Sequence, residues 1–571
     1  MRRFANYFPI VQWGREYDKD SLSRDILAAV IVTIMLIPQS LAYALLAGLP
    51  AKVGLYASIL PLIVYAIFGT SKTLSVGPVA VASLMTASAL SEIAQQGTTD
   101  YLTAAIMLAL ISGVFLLVLG FFKLGFLANF LSHPVVSGFI TASGILIAFS
   151  QLKHVLGVSA HGETLLEIGS SLASQLVSIN YYTLMISVAV LYFLYWARCG
   201  FAKILMSRGF AKKKALLFAR AAPVISILAT IFIVYFLNLE SKSVALVGAI
   251  PAGLPSLQIP DISMDLIKPL FLPAVLISII GYVESISVGK TLAAKKRQKI
   301  DVNQELVGLG AANVASAVSG AFPVTGGFSR SVVNFDAGAA TQAASIFAAI
   351  GIALASLFLT PALYYLPKAT LAATIIIAVL SLVDFSIFKK TWNFSRSDFY
   401  AVFTTVVLTL LFGVEAGVAC GVGTSIALHL YRTSMPHIAE VGLVEGTEHF
   451  RNINRYHVVT KPEVFSLRMD ESLFFANASY LEDKIHDAIY YRDKIAHVVL
   501  MCSAINEIDL SAMEMLEAVN ERLIEQGIHL HLSEIKGPVM ETLERSGFLD
   551  ELSGKIFLTQ FEAYSYLNES K

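Results

Sequence analysis

"AFPVTGGFSRSVVN", residues 321–334, breaks an apolar stretch with one proline, two adjacent glycines and an arginine between two serines. Backbone left unpaired in lipid costs several kcal/mol per group, so such a break survives only where protein or a water-filled cavity surrounds it. A second stretch of the same kind, "LSVGPVAVASLM" at 74–85, also places Gly and Pro just before a short helical run. Interrupted segments in corresponding positions are the best sequence pointer to a transporter's binding site.

The rest of the chain supports a membrane setting. Of 571 residues, 56% are hydrophobic and only 14% charged, where a soluble chain carries about 25% charged. Fourteen apolar segments are read, centred near residues 36, 61, 83, 111, 140, 189, 229, 280, 312, 332, 351, 375, 405 and 423. Several are too short to cross a bilayer alone. The two broken segments are the third and the tenth, which stand in corresponding places if the chain divides into two halves of seven. An odd number per half makes the repeats inverted.

An even count puts both termini on one side, and the charges choose that side. Lys and Arg cluster at 198–220 (Arg198, Lys203, Arg208, Lys212, Lys213, Lys214, Arg220), at 290–299 and at 389–396. The long loops at 151–180 and 238–269 are sparse in them. By the positive-inside rule the basic loops and both termini are cytoplasmic. Topology accounts for these runs, so they do not call for a nucleic-acid partner.

Net charge is zero overall but divided. Up to Thr433 there are 29 Lys+Arg against 18 Asp+Glu, and from Ser434 onward 12 against 23. The expected organisation is a cytoplasmic N-terminal segment at 1–25, a transmembrane domain at 26–433 and an acidic cytoplasmic domain at 434–571. Cys199, Cys420 and Cys502 are odd in number and far apart, giving neither a disulfide framework nor metal-ligand spacing. No cleavable signal is read in the charged run to Asp25. No P-loop, nucleophile–base pair or metal cluster stands out, so neither an enzyme, ATP driving nor a cofactor is expected.

The broken segments carry the chemistry. A half-helix starting at mid-membrane presents free N–H groups and roughly half a positive charge, and two such ends facing each other make an anion site. Gly77, Pro78, Gly326 and Gly327 fit such starts. Arg330 adds a full charge and a planar donor fork suited to an oxyanion. Glu284, in "SIIGYVESISVGK" at 278–290, is a second ionisable residue in an apolar segment, either a proton relay or a structural partner of Arg330. Gln39, in "IPQSLAYALLAG" at 37–48, adds a neutral donor and acceptor.

"GLYASILPLIVYAIFGTSK" (54–72), "LSVGPVAVASLM", "ESISVGK" and "FPVTGGFSRS" together resemble the sulfate permease (SulP) family of anion transporters over nearly the whole chain. The resemblance implies a polytopic α-helical fold of 14 transmembrane segments as 7+7 inverted repeats, split into core and gate domains, working as an elevator. It implies a substrate site at Gln39, Tyr43, Val79, Glu284, Phe328, Ser329 and Arg330. It also implies a homodimer in the cell (inner) membrane. Val53 stands where an aromatic is often found before "GLY", and two positions depart from animal relatives: Val79 where an aromatic often lines the pocket, and Gly327 where serine is common.

The tail, from about Pro436, resembles a STAS domain, an α/β module. "HVVLMCS" (497–503) reads as a buried strand, "SAMEMLEAVNERLIEQG" (511–527) as a helix capped by Ser511, and "IHLHLSEI" as the next strand. Leu510 stands where anti-anti-sigma relatives carry a phosphorylated serine, so no phospho-switch is expected.

The function expected is secondary import of an anion, with sulfate first and a proton as coupling ion. Two helix ends and Arg330 supply about +2, which a protonated Glu284 leaves balanced against a dianion. Sodium-coupled bicarbonate, a proton-coupled C4-dicarboxylate and an anion channel are the alternatives.

Overall fold

The computed structural model describes residues 8–569 apart from 97, 127–131, 161, 163, 210–214, 216–220, 250, 259 and 261–263. Lys212, Lys213, Lys214 and Arg220 of the basic loop therefore lie outside the described residues. The chain forms two compact units, Met1–Ser425 and Ile426–Lys571.

In the first unit a helix lies at each of the fourteen expected centres. Among the described residues seven helical stretches are long and apolar enough to cross a membrane, including Lys19–Leu46, Thr99–Phe121 and Met264–Lys295. Two packing groups form. In one, Thr99–Phe121 and Leu60–Phe68 pack on Val302–Val318, and Lys19–Leu46 packs on Ala343–Phe358. In the other, Lys368–Leu380 and Arg396–Phe412 pack on His133–Leu156, with Tyr181–Trp196 alongside.

Small residues set how closely the first group packs, because lipid tails give no hydrophobic drive between helices. A Cβ on Gly310 would lie 2.8 Å from Leu117 N, and one on Gly113 2.7 Å from Val314 N. A Cβ on Gly54 would fall 1.9 Å from Ser40 O. Backbone meets backbone at these crossings, and no larger residue fits.

The two breaks are built alike. Val76–Gly77 and Thr325–Gly326 are short extended pieces that pair antiparallel, Val76 with Gly326 and Gly77 with Thr325. Each runs straight into a short helix, Ala80–Ser91 and Phe328–Asp336. At 1.5 Å per residue these are about 18 and 14 Å long, well short of the roughly 30 Å of a hydrocarbon core.

The backbone freed by the breaks finds partners in buried side chains. Ser285 Oγ accepts from Gly326 N–H at 2.9 Å, Asn313 Oδ1 from Val324 N–H at 2.9 Å, and Ser331 Oγ from Ser75 N–H at 3.0 Å. Asn334 donates to Thr73 O at 3.1 Å, and Gly327 N–H to Ser75 O at 3.0 Å.

The second unit holds a six-stranded sheet in the spatial order Phe450–Asn452, Ile438–Leu443, Val464–Met469, His497–Met501, His529–Ser533, Ile556–Phe557. The strands from Val464 onward are parallel, joined by helical crossovers such as Ala478–Tyr491 and Leu510–Glu525. A near-continuous apolar run such as "HVVLM" is what a strand covered on both faces requires.

One expectation needs correction here. The cap of the helix Leu510–Glu525 is Asp509, whose carboxylate accepts from Ala512 N–H at 2.9 Å, not Ser511. Asp509 also accepts from Phe475 N–H at 2.9 Å. A carboxylate holds two donors here where a hydroxyl two residues later sits inside the first turn.

Candidate functional site

The two half-helices deliver their N-termini to one place. Neither Val79 nor Gly327, the residues at their N-caps, caps the helix with a side chain, so each helix start offers backbone N–H groups. A cavity of about 250 Å³ opens there, lined by Gln39, Tyr43, Val79, Glu284, Phe328, Ser329 and Arg330 among others. Seven of the expected site residues, from four separate segments, thus meet in one space. Gly77 and Pro78 do not line it. Gly77 is part of the extended pair, and Pro78 holds the arginine by its carbonyl.

Arg330 is 2% exposed. Its Nη1 donates to Pro78 O, while Nε and Nη2 are buried with no hydrogen-bond partner among the described residues. An unsatisfied buried donor costs about 1–3 kcal/mol, more when charged, so an arginine in this state is short of an acceptor. Glu284 does not supply it: the two form no ion pair within 4 Å among the described residues. The structural-pair alternative for Glu284 and Arg330 is absent from this conformation.

Gly327 explains how the guanidinium fits. A Cβ at 327 would lie 2.7 Å from Arg330 Nη2 and 2.8 Å from Cζ. The planar group lies over the glycine backbone, and a side chain at 327 would push the guanidinium aside. Val79 is 7% exposed and packs beside the first helix start. Phe328, 48% exposed, presents its ring to the open side.

The sequence reading missed the facing wall. Ala378, Val379, Ser381 and Leu382 close the cavity from the end of the helix Lys368–Leu380. A second space of about 420 Å³ shares Met35, Gln39, Tyr43, Ser329, Ala378 and Ser381 with the first and runs on to Thr374 and Arg198. Thr374, Ala378 and Ser381 recur at helical spacing on one face in an otherwise branched, apolar segment. That was the available signal.

Fold and site together define a helical membrane transporter with a C-terminal α/β domain. The sulfate permease family model matches residues 22–405 and the STAS domain model residues 455–563. The chain belongs to the sulfate permease family. It is 37% identical over 562 residues to sulfate transporter 4.1, chloroplastic, of Arabidopsis thaliana, covering 96% of this chain and 80% of that protein. A probable sulfate transporter of Mycobacterium tuberculosis is 32% identical over 561 residues, covering 97% of each. Among solved structures, murine Solute Carrier 26 family member A9, an anion transporter in the inward-facing state, matches with a TM-score of 0.89 at 23% identity over 100% of this chain and 95% of that one. The transmembrane domain of the cyanobacterial bicarbonate transporter BicA matches with a TM-score of 0.61 at 21% identity, over 70% of this chain and 98% of that one.

Proposed function

We propose that the chain is a secondary carrier for an inorganic oxyanion, sulfate first, driven by protons. The observation that carries this reading is Arg330, buried, with two N–H directions unpaired beside two uncapped helix starts. An oxyanion seated there satisfies the fork and both sets of backbone N–H groups at once. Gln39, Tyr43 and Ser329 supply neutral hydrogen bonds, while Val79 and Phe328 limit the volume. The curated relatives named as sulfate transporters support the choice of anion.

Glu284 carries the coupling in this proposal. With the carboxyl protonated, two half-charges and Arg330 balance a dianion; with it ionised, the site is one charge short. Proton release at the inner face would then expel sulfate, and reprotonation outside would readmit it. The continuity of the cavity with the larger space reaching Arg198 supports an inward-open state, since the 198–220 loop is the most basic and by charge cytoplasmic. The helices bearing the site move against the second packing group as an elevator. The protein resides in the cell membrane with both termini inside, as a homodimer. The transporter domain runs to residue 433, because the helix Val414–Ser434 is continuous to that point.

Uptake of labelled sulfate, bicarbonate and fumarate into proteoliposomes, with pH and sodium gradients imposed separately, tests all of this. Saturable sulfate accumulation that follows the pH gradient is expected. Sodium-dependent bicarbonate uptake without sulfate uptake would replace the reading, and linear non-saturating anion flux would make the protein a channel. For topology, Glu525→Cys in a chain with Cys199 and Cys420 replaced by serine should react with an impermeant reagent only after permeabilisation. Labelling of intact cells would invert the orientation.

A further inference from the structure

A second polar cavity, of about 300 Å³, shares no lining residue with the central one. It lies where the N-terminal segment meets the ends of the helices Lys19–Leu46 and Met264–Lys295. Arg24, Lys72 and Lys296 line it, with Glu16 as the acidic member and Trp13 and Gln298 as neutral donors.

These groups are incompletely used. Lys72 makes no hydrogen bond or ion pair among the described residues. The indole N–H of Trp13 is buried with no acceptor among them. Arg24 spends part of its fork on Asp20 at 2.9 Å, and Lys296 donates to Ala339 O at 2.8 Å. Burial, then Arg24 and Lys72, lower the Lys296 ammonium below its ordinary range against the opposing pull of Asp25. Three like charges are therefore held close together. Asp25 offsets part of this charge from behind the wall: it is not among the lining residues, and its carboxylate accepts from Ala340 N–H, Thr341 N–H and the Thr341 hydroxyl.

We propose that this cavity is a second anion site that takes a phosphate group and pins the N-terminal segment to the transporter. The lining sums to about +2 when Glu16 is ionised, which matches the roughly −1.5 to −2 of a phosphate monoester. Arginine supplies a fork and lysine a point charge, the usual pairing for phosphate. Tryptophan belongs at the membrane–water boundary, and basic pockets between helices on the cytoplasmic side take lipid headgroups. A diffusible phosphate offers the same chemistry.

Trp13 serves as the reporter in the full-length chain once Trp196 and Trp392 are replaced by phenylalanine. One arm titrates inorganic phosphate against chloride at equal ionic strength. The other compares nanodiscs of phosphatidylcholine with nanodiscs containing increasing phosphatidic acid. A saturable change in Trp13 emission is expected in at least one arm. A response to lipid alone assigns the headgroup as ligand, and a response to phosphate alone assigns a soluble one. Lys72→Gln and Arg24→Gln should each weaken it about tenfold, while Arg330→Ala and Lys389→Gln leave it in place. Thermal unfolding of the chain with all tryptophans kept, with and without each ligand, covers misfolding of the reporter variant. Absence of a saturable response and of a thermal shift in both arms overturns the proposal. So does a response that survives both charge removals, or one that disappears with Arg330→Ala.

Discussion

Two glutamates in the membrane part have opposite surroundings. Glu305 is 1% exposed, and its carboxylate accepts from Tyr65 O–H at 2.7 Å, Thr70 N–H at 2.7 Å, Thr70 O–H at 2.6 Å and Ser71 N–H at 2.9 Å. Glu284 faces the central cavity and makes no hydrogen bond or ion pair among the described residues. One carboxylate is saturated by its own protein and locks a loop to a helix. The other has its oxygens unclaimed by any protein donor among the described residues. Residue type and hydrophobic context are alike at both positions, so only the count of donors separates a satisfied carboxylate from an available one.

The largest effect expected is at the saturated site. Glu305→Ala orphans four donors at about 1–3 kcal/mol each, so thermal unfolding in detergent should show a loss above about 4 kcal/mol. Sulfate affinity per folded molecule should hold. A fall in affinity with unchanged melting would exchange the roles of the two glutamates.

Arg330→Ala should do the reverse. Sulfate affinity measured by calorimetry falls by about 2–5 kcal/mol, the cost of truncating a buried charged contact, while melting changes little because two unpaired donors leave with the side chain. Arg330→Lys rescues only in part, since a point charge cannot reproduce the fork.

The tail offers the same contrast with a titratable group. His531 Nδ1 accepts from Lys555 N–H at 2.9 Å, and burial, with His497, His529 and Lys555 adding, lowers its pKa from 6.5 to about 4. The unfolded chain takes up a proton near pH 6.5 and the folded chain resists until about 4. This contribution to stability is full above 6.5 and is lost as pH falls toward 4. Proteolysis of the tail in the full-length chain should report a loss of about 1–2 kcal/mol across that window, removed in His531→Gln.

Next in size, Asp509→Ala should cost about 1 kcal/mol as a lost cap, and Ser511→Ala only a few tenths. Smallest on stability is Glu284→Gln, within about 0.5 kcal/mol, because no partner is left behind. It should still bind sulfate yet abolish accumulation driven by a pH gradient. Accumulation as steep as in the unaltered protein would remove Glu284 from coupling and leave the contrast with Glu305 without a functional meaning.

Much of this was legible along the chain. Apolar segment length and loop charge located the helices, and the Gly and Pro breaks located the half-helices, because both are local properties. Arg330 stood out because an arginine in an apolar segment is costly. Less legible was whatever depends on residues far apart. Glu305 reads as one more acid near a helix start until Thr70, 235 positions away, is seen to donate to it. The wall at Ala378–Leu382 faces the site from another packing group, and its weak pattern of small residues competes with the ordinary need for close helix packing. Asp509 and Ser511 are both good capping residues two positions apart. The choice between them fell to Phe475, whose N–H also needed an acceptor.

The guanidinium lying on Gly327 has a consequence for engineering. A Cβ at that position would lie 2.7 Å from Nη2, and what would have to give way is the free end of a long side chain, not backbone. A serine placed at 327 therefore shifts the fork without breaking the helix start, so position 327 works as a setting for where the charge sits in the cavity.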